Sequence, residues 1–223
     1  MVDEPGTLLD QLIEEDRRAI EERAGRRRFK AGATLMHEGS PSSEVLLVLE
    51  GRVKVTVTTA EGREVVLQFC GPGELIGELS VIDSRARSAT AEALEPVEAL
   101  ALSATEFRAM IDARPSFASA LLRSVVRRFR DADRKRVEFA AAQTLGRVAV
   151  RLTELVDRYG EPSEAGIAIT LPISQEELAG WTGSSREAVA KALHTLRSLG
   201  SIRTERRRIV VLDREALRRQ AAG

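Results

Sequence analysis

The stretch 28–102 constrains the fold most, because its short apolar or alternating runs are separated by tight turns. The runs are rich in β-branched residues or alternate apolar with polar residues, as β-strands do. They cover residues 44–49, 52–58 and 64–69. Turns that contain glycine separate them, at residues 50–51, 61–62 and 71–73. Many short strands joined by tight turns predict a β-sandwich or a small barrel.

Helical patterns flank this β-rich stretch. Thr7 begins a capping-box-like motif, and the apolar spacing after it predicts one helix that ends near Arg23. A second helical pattern begins at Ser103 and is interrupted by Pro115. A long helix over residues 116–139 follows. The β-rich stretch is therefore expected to lie between helical segments.

The long helix carries a regular apolar seam. Its positions alternate in spacing between three and four residues, which is the coiled-coil pattern. They are Leu122, Val125, Phe129, Ala132 and Arg136. Dimerisation along this seam would cover it, and packing of the helix against the barrel is the alternative.

A second domain is predicted to begin at Thr144. An amphipathic helix comes first, and then a loop over residues 160–166 and a short strand over residues 167–171. Two further helices and a final hairpin over residues 202–212 complete the predicted domain.

The two further helices have matching start signals. Ser174 and Glu177 form a capping box, and Gly183 can end the first helix with a positive φ. Ser184 and Glu187 are predicted to form a second capping box, which begins a helix that runs to about residue 199. Two capped helices joined by a short glycine-containing turn predict a DNA-binding helix-turn-helix, with an ordinary helical hairpin as the alternative.

The outer face of the second helix is polar, and several of its side chains suit DNA bases. It comprises Ser185, Arg186, Glu187, Ala190, Lys191 and His194. Arg186 can make a bidentate contact to guanine, and Glu187 can accept from cytosine or act only as a cap. Ser174 and Gln175 are further candidate DNA contacts. Arg206, Arg207 and Arg208 suit phosphates, with Arg207 the leading candidate, or form a solvated turn.

A second motif suits a small anion. The run Gly77-Glu78-Leu79-Ser80 lies seven residues ahead of Arg87-Ser88, and the residues around it are mainly small or apolar. An arginine fork, a serine hydroxyl and glycines that let the backbone approach are what an anion pocket needs. An Arg–Glu ion pair that closes a barrel loop is the alternative.

The charge distribution separates the two halves of the chain. Residues 1–112 hold 13 Lys and Arg against 21 Asp and Glu, and residues 113–223 hold 21 against 13. The basic half favours a polyanionic partner, unless surface charges are sorted by chance.

Composition excludes several classes. One cysteine and two histidines in 223 residues offer no haem, iron–sulfur or metal ligand cluster and no nucleophile–base pair. An enzyme is therefore not expected. No apolar run is long enough for a membrane span, and the acidic N-terminal segment is unlike a signal peptide, so we expect a cytoplasmic protein with no membrane partner.

With these motifs in this order, the chain resembles the Crp/Fnr family of transcription regulators. The resemblance covers nearly the whole chain and implies an α+β fold. Its parts would be a cyclic-nucleotide-binding β-barrel of jelly-roll type over residues 1–112, a dimerisation helix and hinge over residues 113–141, and a winged helix-turn-helix over residues 142–223.

The resemblance also implies partners and a ligand site. The partners would be a second copy of the chain, a pseudo-palindromic site in double-stranded DNA, and RNA polymerase. The ligand would be cyclic AMP, with Arg87 and Ser88 on the phosphate and Glu78 on the ribose 2′-hydroxyl. The implied ligand-binding set is Ile76, Gly77, Glu78, Leu79, Ser80, Arg87, Ser88, Ala132 and Asp133.

Three positions depart from the family pattern. Ala132 and Asp133 stand where members that respond to cyclic AMP carry a Thr-Ser pair that contacts the adenine. Asp133 is expected either to accept from the adenine amine or to pair with arginines on the helix surface. Lys191 replaces an arginine of the base-reading triplet and loses its bidentate geometry. A regulator of the same architecture that ignores cyclic nucleotides is therefore the second interpretation.

Overall fold

The structure is a computed structural model that describes residues 7–141, 143–205 and 208–222. The chain forms two compact units. The first comprises the described residues up to Val57 together with Leu67–Asp131, and the second comprises Thr58–Val66 together with the described residues from Ala132 onward.

Eight short strands form two antiparallel four-stranded sheets. The strands are β1 (Gly25–Phe29), β2 (Thr34–Met36), β3 (Glu44–Glu50), β4 (Val53–Thr58), β5 (Glu64–Cys70), β6 (Leu75–Ile76), β7 (Thr90–Ala93) and β8 (Val97–Ser103). One sheet has the order β1-β8-β3-β6 and the other has the order β2-β7-β4-β5. The predicted sandwich of short strands is confirmed, although it begins a few residues earlier than expected, at β1.

The N-terminal segment forms two helices rather than the single predicted one. They are α1 (Leu8–Gln11) and α2 (Glu14–Arg23). Thr7 caps α1 with the predicted capping box. The chain is extended at Leu12, with φ −78° and ψ 138°, which ends α1. Leu8, Leu12 and Ile20 are all buried in the same core cluster, so packing overrides helical continuity here.

Three further helices lie between these strands or after them. They are α3 (Glu78–Ile82), α4 (Ala104–Ala113) and α5 (Pro115–Ala141). Ser103 caps α4 through a capping box. The first turns of α5 bury Phe117, Ala120 and Leu121 in the core of the first unit.

The opposite face of α5 exposes large apolar side chains. They are Leu122, Val126, Phe129 and Val137. From the predicted seam, Leu122, Phe129 and Ala132 are exposed, whereas Val125 is half-buried and Val126 takes its place on the exposed face. The side chain of Arg136 lies outside the described part. The helix therefore packs one face on its own sheets and presents a second apolar face to solvent.

After the end of α5, the described part of the second unit contains a four-stranded sheet and four helices. Its elements are α6 (Thr144–Tyr159), β9 (Gly160–Ser163), β10 (Gly166–Ile169), α7 (Gln175–Thr182), α8 (Arg186–Ser198), β11 (Ile202–Glu205), β12 (Arg208–Val211) and α9 (Arg214–Ala222). The sheet order is β11-β12-β10-β9.

Two features of this unit differ from the sequence prediction. The expected loop over residues 160–166 contains β9, because Gly160–Ser163 pairs with β10 in antiparallel register. A C-terminal helix, α9, packs against α6 and buries Leu217 completely. The sequence prediction ended at the hairpin and missed this helix.

Candidate functional site

Gly77 makes the turn that leads from β6 into α3. It has φ +86°, in the left-handed region that glycine adopts without strain. A Cβ atom at this position would overlap Arg87 Nη1 and Met36 Sδ. Glycine is therefore required at this position for two reasons, namely the positive φ and the close approach of Arg87.

Arg87 is buried, with 5% of its surface exposed. Its Nη1 donates to the Gly77 carbonyl oxygen at 2.7 Å and to Ser80 Oγ at 3.3 Å, and its Nη2 donates to the Glu44 carbonyl oxygen. Burial lowers the pKa of the guanidinium, and the carboxylates of Glu44 and Glu78 oppose that shift. Backbone carbonyl groups thus fix a buried cation in one orientation.

Glu78 is also buried, with 1% of its surface exposed. Its Oε1 lies 2.8 Å from Arg128 Nη2 on α5, and its Oε2 has no hydrogen-bond partner among the described residues. Burial raises the pKa of this carboxyl, and the charge of Arg128 acts against the rise. An unpaired, buried carboxylate oxygen is a ready acceptor for a hydroxyl group.

Arg128 is a site residue that the sequence prediction missed. The neighbouring arginines Arg123, Arg127 and Arg130 lie within two turns of it, so composition alone does not single it out. The helical phase of α5 offered the available signal, because Arg128 lies seven residues after the buried Leu121 and so on the core-facing side of the helix.

The remaining candidate ligand-binding residues of the first unit differ in how deeply they are buried. Ile76 and Ser80 are buried, and the Ser80 hydroxyl donates to the Gly77 carbonyl oxygen at 3.3 Å. Leu79 and Ser88 are exposed. The structure therefore brings Gly77, Glu78, Ser80 and Arg87 together.

Ala132 and Asp133 lie on α5, about one helical turn beyond Arg128. Ala132 is exposed and Asp133 is half-buried. Ala132 carries no hydrogen-bonding group in its side chain, so only Asp133 of this pair can read a polar edge.

The site of the first unit combines a cation and an acceptor in a buried setting. A planar guanidinium presents parallel N–H groups that match two oxygen atoms of a phosphate. The free Oε2 of Glu78 would repel a phosphate and would accept from a hydroxyl. The arrangement therefore suits a ligand with one anionic group and a hydroxyl group close to it.

The second unit contains the predicted helix-turn-helix. Ser174 Oγ accepts from the Glu177 backbone N–H at 3.1 Å, and the Glu177 carboxylate accepts from the Ser174 backbone N–H at 2.7 Å. This confirms the first capping box. Gly183 ends α7 in the left-handed conformation, with φ +58°, as predicted.

The second predicted capping box is wrong by one residue. Ser185 is the N-cap of α8, and its Oγ accepts from the Ala188 backbone N–H at 3.2 Å. Ser184 instead accepts from Arg147 Nη2 at 3.1 Å. Arg147 Nε also donates to the Thr182 carbonyl oxygen at 2.9 Å, so this arginine of α6 fixes the turn between the two helices.

The outer face of α8 is accessible. Val189, Ala192, Leu193 and Leu196 are buried, whereas the exposed residues of its outer face are Ser185, Arg186, Glu187, Lys191 and His194. Gln175, at the start of α7, is exposed as well. Hydrogen bonds from its own backbone N–H and from Ser185 lower the pKa of Glu187, which agrees with a capping role for this carboxylate.

The hairpin of β11 and β12, which we call the wing, lies beside α8. Arg197 Nη1 on α8 donates to Thr204 Oγ1 of the wing at 2.8 Å. Arg208 begins β12 and is exposed. Arg206 and Arg207, the other predicted phosphate contacts, lie outside the described residues.

The chain thus combines a β-sandwich that carries a candidate ligand site with a winged helix-turn-helix, and this second fold defines the class of DNA-binding transcription regulators. Residues 26–114 match the cyclic nucleotide-binding domain family, and residues 146–220 match the Crp-like helix-turn-helix domain family. The chain belongs to the Crp/Fnr family of DNA-binding transcription regulators, and its relatives are regulators rather than enzymes.

Individual relatives support the same assignment. The chain is 33% identical over 193 residues, 86% of each chain, to a CRP-like cAMP-activated global transcriptional regulator of Mycobacterium tuberculosis. It is 34% identical over 178 residues to the cyclic AMP receptor protein of Thermus thermophilus, covering 80% of this chain and 79% of that one. A solved CRP-family transcriptional regulator of Thermus thermophilus matches with a TM-score of 0.77 and 30% identity, over 88% of this chain and 97% of its own.

Two features are absent from the described residues. No group of three or more His, Cys, Asp or Glu side chains is arranged there to hold a metal ion. No helix in the same part of the chain is both long and apolar enough to cross a membrane.

We expect Arg186→Ala to relax base preference. Arg186 is exposed in the first turn of α8, where a side chain can reach a base edge, and losing a bidentate contact costs on the order of 1–3 kcal/mol. Sites selected from a random DNA library by the wild type and by the variant would be compared by sequencing and affinity. Arg218→Ala, on α9, is the control. Identical preferences for the wild type and Arg186→Ala would contradict the assignment.

Proposed function

We propose that this protein is a homodimeric transcription regulator whose DNA binding is controlled by cyclic AMP. The observation that carries the proposal is that one site contains both the buried guanidinium of Arg87 and the buried Glu78 carboxylate, whose Oε2 has no hydrogen-bond partner among the described residues. A cyclic nucleotide carries one phosphate charge and a ribose 2′-hydroxyl close to it. Arg87 would hold the phosphate, and Glu78 would accept from the hydroxyl.

The other members of the ligand set have supporting roles in this proposal. Gly77 lets the backbone approach the ligand, and Ser88 adds a hydroxyl and an N–H from an exposed position. Ile76, Leu79 and Ser80 would border the pocket. Arg128 holds the Glu78 carboxylate through its 2.8 Å ion pair, so it would orient the hydroxyl acceptor.

The effector is proposed as cyclic AMP because two relatives above 30% identity are named for it. Asp133 is proposed to accept from the exocyclic amine of adenine, since Ala132 offers no hydrogen bond. With one base contact rather than two, cyclic AMP should couple to DNA affinity more weakly than in relatives that carry a Thr-Ser pair.

The exposed apolar face of α5 supports the dimer. A second copy would bury Leu122, Val126, Phe129 and Val137 along a coiled-coil seam. Two recognition helices related by the dimer axis would enter successive major-groove turns about 34 Å apart on a pseudo-palindromic site. RNA polymerase is a further proposed partner, and the cytoplasm is the proposed place of action.

The proposed DNA contacts divide into two groups. Arg186, Glu187 and Lys191 on α8 would read bases. The remaining side chains would contact the backbone and fix the register. They are Ser174, Gln175, Ser185 and Arg207.

Calorimetric titration of cyclic AMP into the purified protein tests the proposed effector. Saturable binding with one nucleotide for each chain is expected, with cyclic GMP bound more weakly. No binding heat at any temperature, together with an unchanged melting temperature, would contradict cyclic AMP control.

The second candidate is a regulator of the same architecture with a different effector. Ala132 and Asp133 favour it, because neither matches the pair that reads adenine in members that respond to cyclic AMP. DNA binding that is intact and indifferent to cyclic AMP would support this alternative.

We expect Asp133→Ala to reduce the discrimination between cyclic AMP and cyclic GMP. The variant removes the proposed base-reading carboxylate and leaves the contacts of Arg87 unchanged. Affinities of both nucleotides would be measured for the wild type, for Asp133→Ala and for Asp131→Ala. Asp131 is the matched control, because it lies two residues away and so on a different side of the helix. An unchanged affinity ratio in Asp133→Ala would mean that Asp133 only pairs on the helix surface.

A further inference from the structure

A groove opens in the second unit between the wing and the two helices of the helix-turn-helix. Apolar side chains from both sides line it, namely Ile173, Leu178, Leu193 and Ile209. Charged side chains line it as well, namely Glu176, Arg186, Glu205 and Arg208. When a recognition helix enters the major groove, phosphates of the flanking backbone pass beside its N-terminus and the wing. Two carboxylates thus line a groove that phosphates would approach.

Glu205 is a carboxylate that lies beside two arginines of the described part of the wing. It is exposed at the end of β11, and its Oε1 lies 3.0 Å from Arg203 Nη2. Its Oε2 lies 3.8 Å from Arg208 Nη1. The bond from Arg197 to Thr204 holds the preceding residue against α8. One carboxylate therefore faces two guanidinium groups that would otherwise be available to phosphates.

This arrangement opposes binding to the DNA backbone. Lysine and arginine gain affinity for DNA by neutralising phosphates and releasing counterions, whatever the base sequence. A carboxylate beside those arginines repels the phosphates and competes for the same guanidinium groups. Glu176, exposed in the first turn of α7, adds a second negative charge to the same groove.

We propose that Glu205 is a specificity determinant that acts by lowering the wing's sequence-independent affinity for DNA. A wing with unopposed arginines would hold the protein on any duplex, and non-specific sites in a genome greatly outnumber specific ones. Because the attraction between the wing and DNA phosphates is reduced, the affinity of the protein for DNA depends more on the base contacts of α8. The proposal rests on the DNA-binding function of the family and adds a residue that restrains it.

The test compares Glu205→Gln with the wild type, as full-length proteins, on a random-sequence duplex over a range of salt concentrations. No nucleotide is added, so the result does not depend on the effector. The affinity of Glu205→Gln for the duplex is expected to rise about fivefold for each wing that contacts DNA. This factor corresponds to the loss of an exposed ion pair worth about 1 kcal/mol. The salt dependence should steepen by about 0.9 for each additional phosphate that the wing neutralises.

Glu215→Gln is the matched control. Glu215 on α9 makes the same i,i+3 type of ion pair, with Arg218 at 3.0 Å, and does not line the groove. It loses the same charge from the same unit but outside the groove, so its DNA affinity should stay close to that of the wild type if position rather than net charge matters. Both side chains are exposed and both changes are isosteric, and thermal melting would verify that the variants fold.

Four results would overturn the proposal. Weaker binding by Glu205→Gln would mean that the carboxylate positions the arginines for phosphates. An equal rise in affinity in both variants would mean that only net charge matters. Unchanged binding by Glu205→Gln, with a wild type that binds DNA, would leave the family function intact and remove the role of Glu205. A wild type with no affinity for any duplex would contradict the DNA-binding function and this proposal with it.

Discussion

Arg87→Ala is expected to weaken cyclic AMP binding about 100-fold or more, since it removes a buried charge-assisted contact to the phosphate. Arg87 also donates to the carbonyl oxygens of Gly77 and Glu44. The variant leaves these acceptors without that donor, so its free energy of unfolding should fall by about 1–3 kcal/mol. Sequence alone favoured a purely ligand-binding role for Arg87, and the structure adds this structural one.

Two further variants separate these effects. Arg85→Ala removes a side chain that is 84% exposed, two residues away in the same loop, and should bind cyclic AMP as the wild type does. Arg87→Lys keeps the charge but not the fork, so its affinity should lie between those of the wild type and Arg87→Ala. Calorimetry gives the affinities and thermal melting gives the stabilities. Wild-type affinity in a folded Arg87→Ala protein would refute the phosphate assignment.

Phe129→Arg is expected to convert the proposed dimer into monomers and to abolish high-affinity DNA binding. Phe129 is 62% exposed in the middle of the apolar face of α5, and Leu122 one heptad earlier is 64% exposed. Two arginines facing each other across a coiled-coil seam would oppose association by desolvation and by repulsion. A monomer contacts one half-site only and loses most of the affinity.

Light scattering and sedimentation would measure the mass of the wild type and the variant, with and without cyclic AMP. Ile13→Arg is the control, because Ile13 is another half-exposed apolar residue that belongs to no proposed interface. It should leave both mass and DNA affinity unchanged. A wild type that stays monomeric in every condition would contradict the dimer, as would a Phe129→Arg protein that remains dimeric.

Much of the candidate ligand site could be predicted from local sequence, whereas Arg128 enters it through a contact between residues distant in sequence. The segment from Gly77 to Ser80 and the residue Arg87 are separated by one short turn of chain, so their proximity could be predicted. Arg128 is 50 residues from Glu78, and only the packing of α5 brings their side chains within 2.8 Å. Several arginines of α5 have similar sequence neighbours. Arg128 differs from them in the structure because its partner, Glu78, is buried.

Contacts between residues distant in sequence also explain two errors of the sequence prediction, at the start of α8 and at β9. Ser184 and Ser185 are equally good caps by sequence, and Arg147 on α6 decides between them by engaging Ser184. The segment 160–166 is rich in turn formers, yet backbone pairing with β10 makes its first half a strand. In both places a contact distant in sequence overrides a local signal.

The most direct test of cyclic AMP control is the DNA affinity of the purified protein as a function of cyclic AMP concentration. A duplex selected from a random library by the protein with cyclic AMP would serve as the probe. Cyclic AMP control predicts that affinity rises and saturates with the nucleotide, that DNA raises cyclic AMP affinity by the same factor, and that Arg87→Ala shows neither effect. Equal DNA affinity at zero and saturating cyclic AMP, in a protein that binds the duplex, would contradict it.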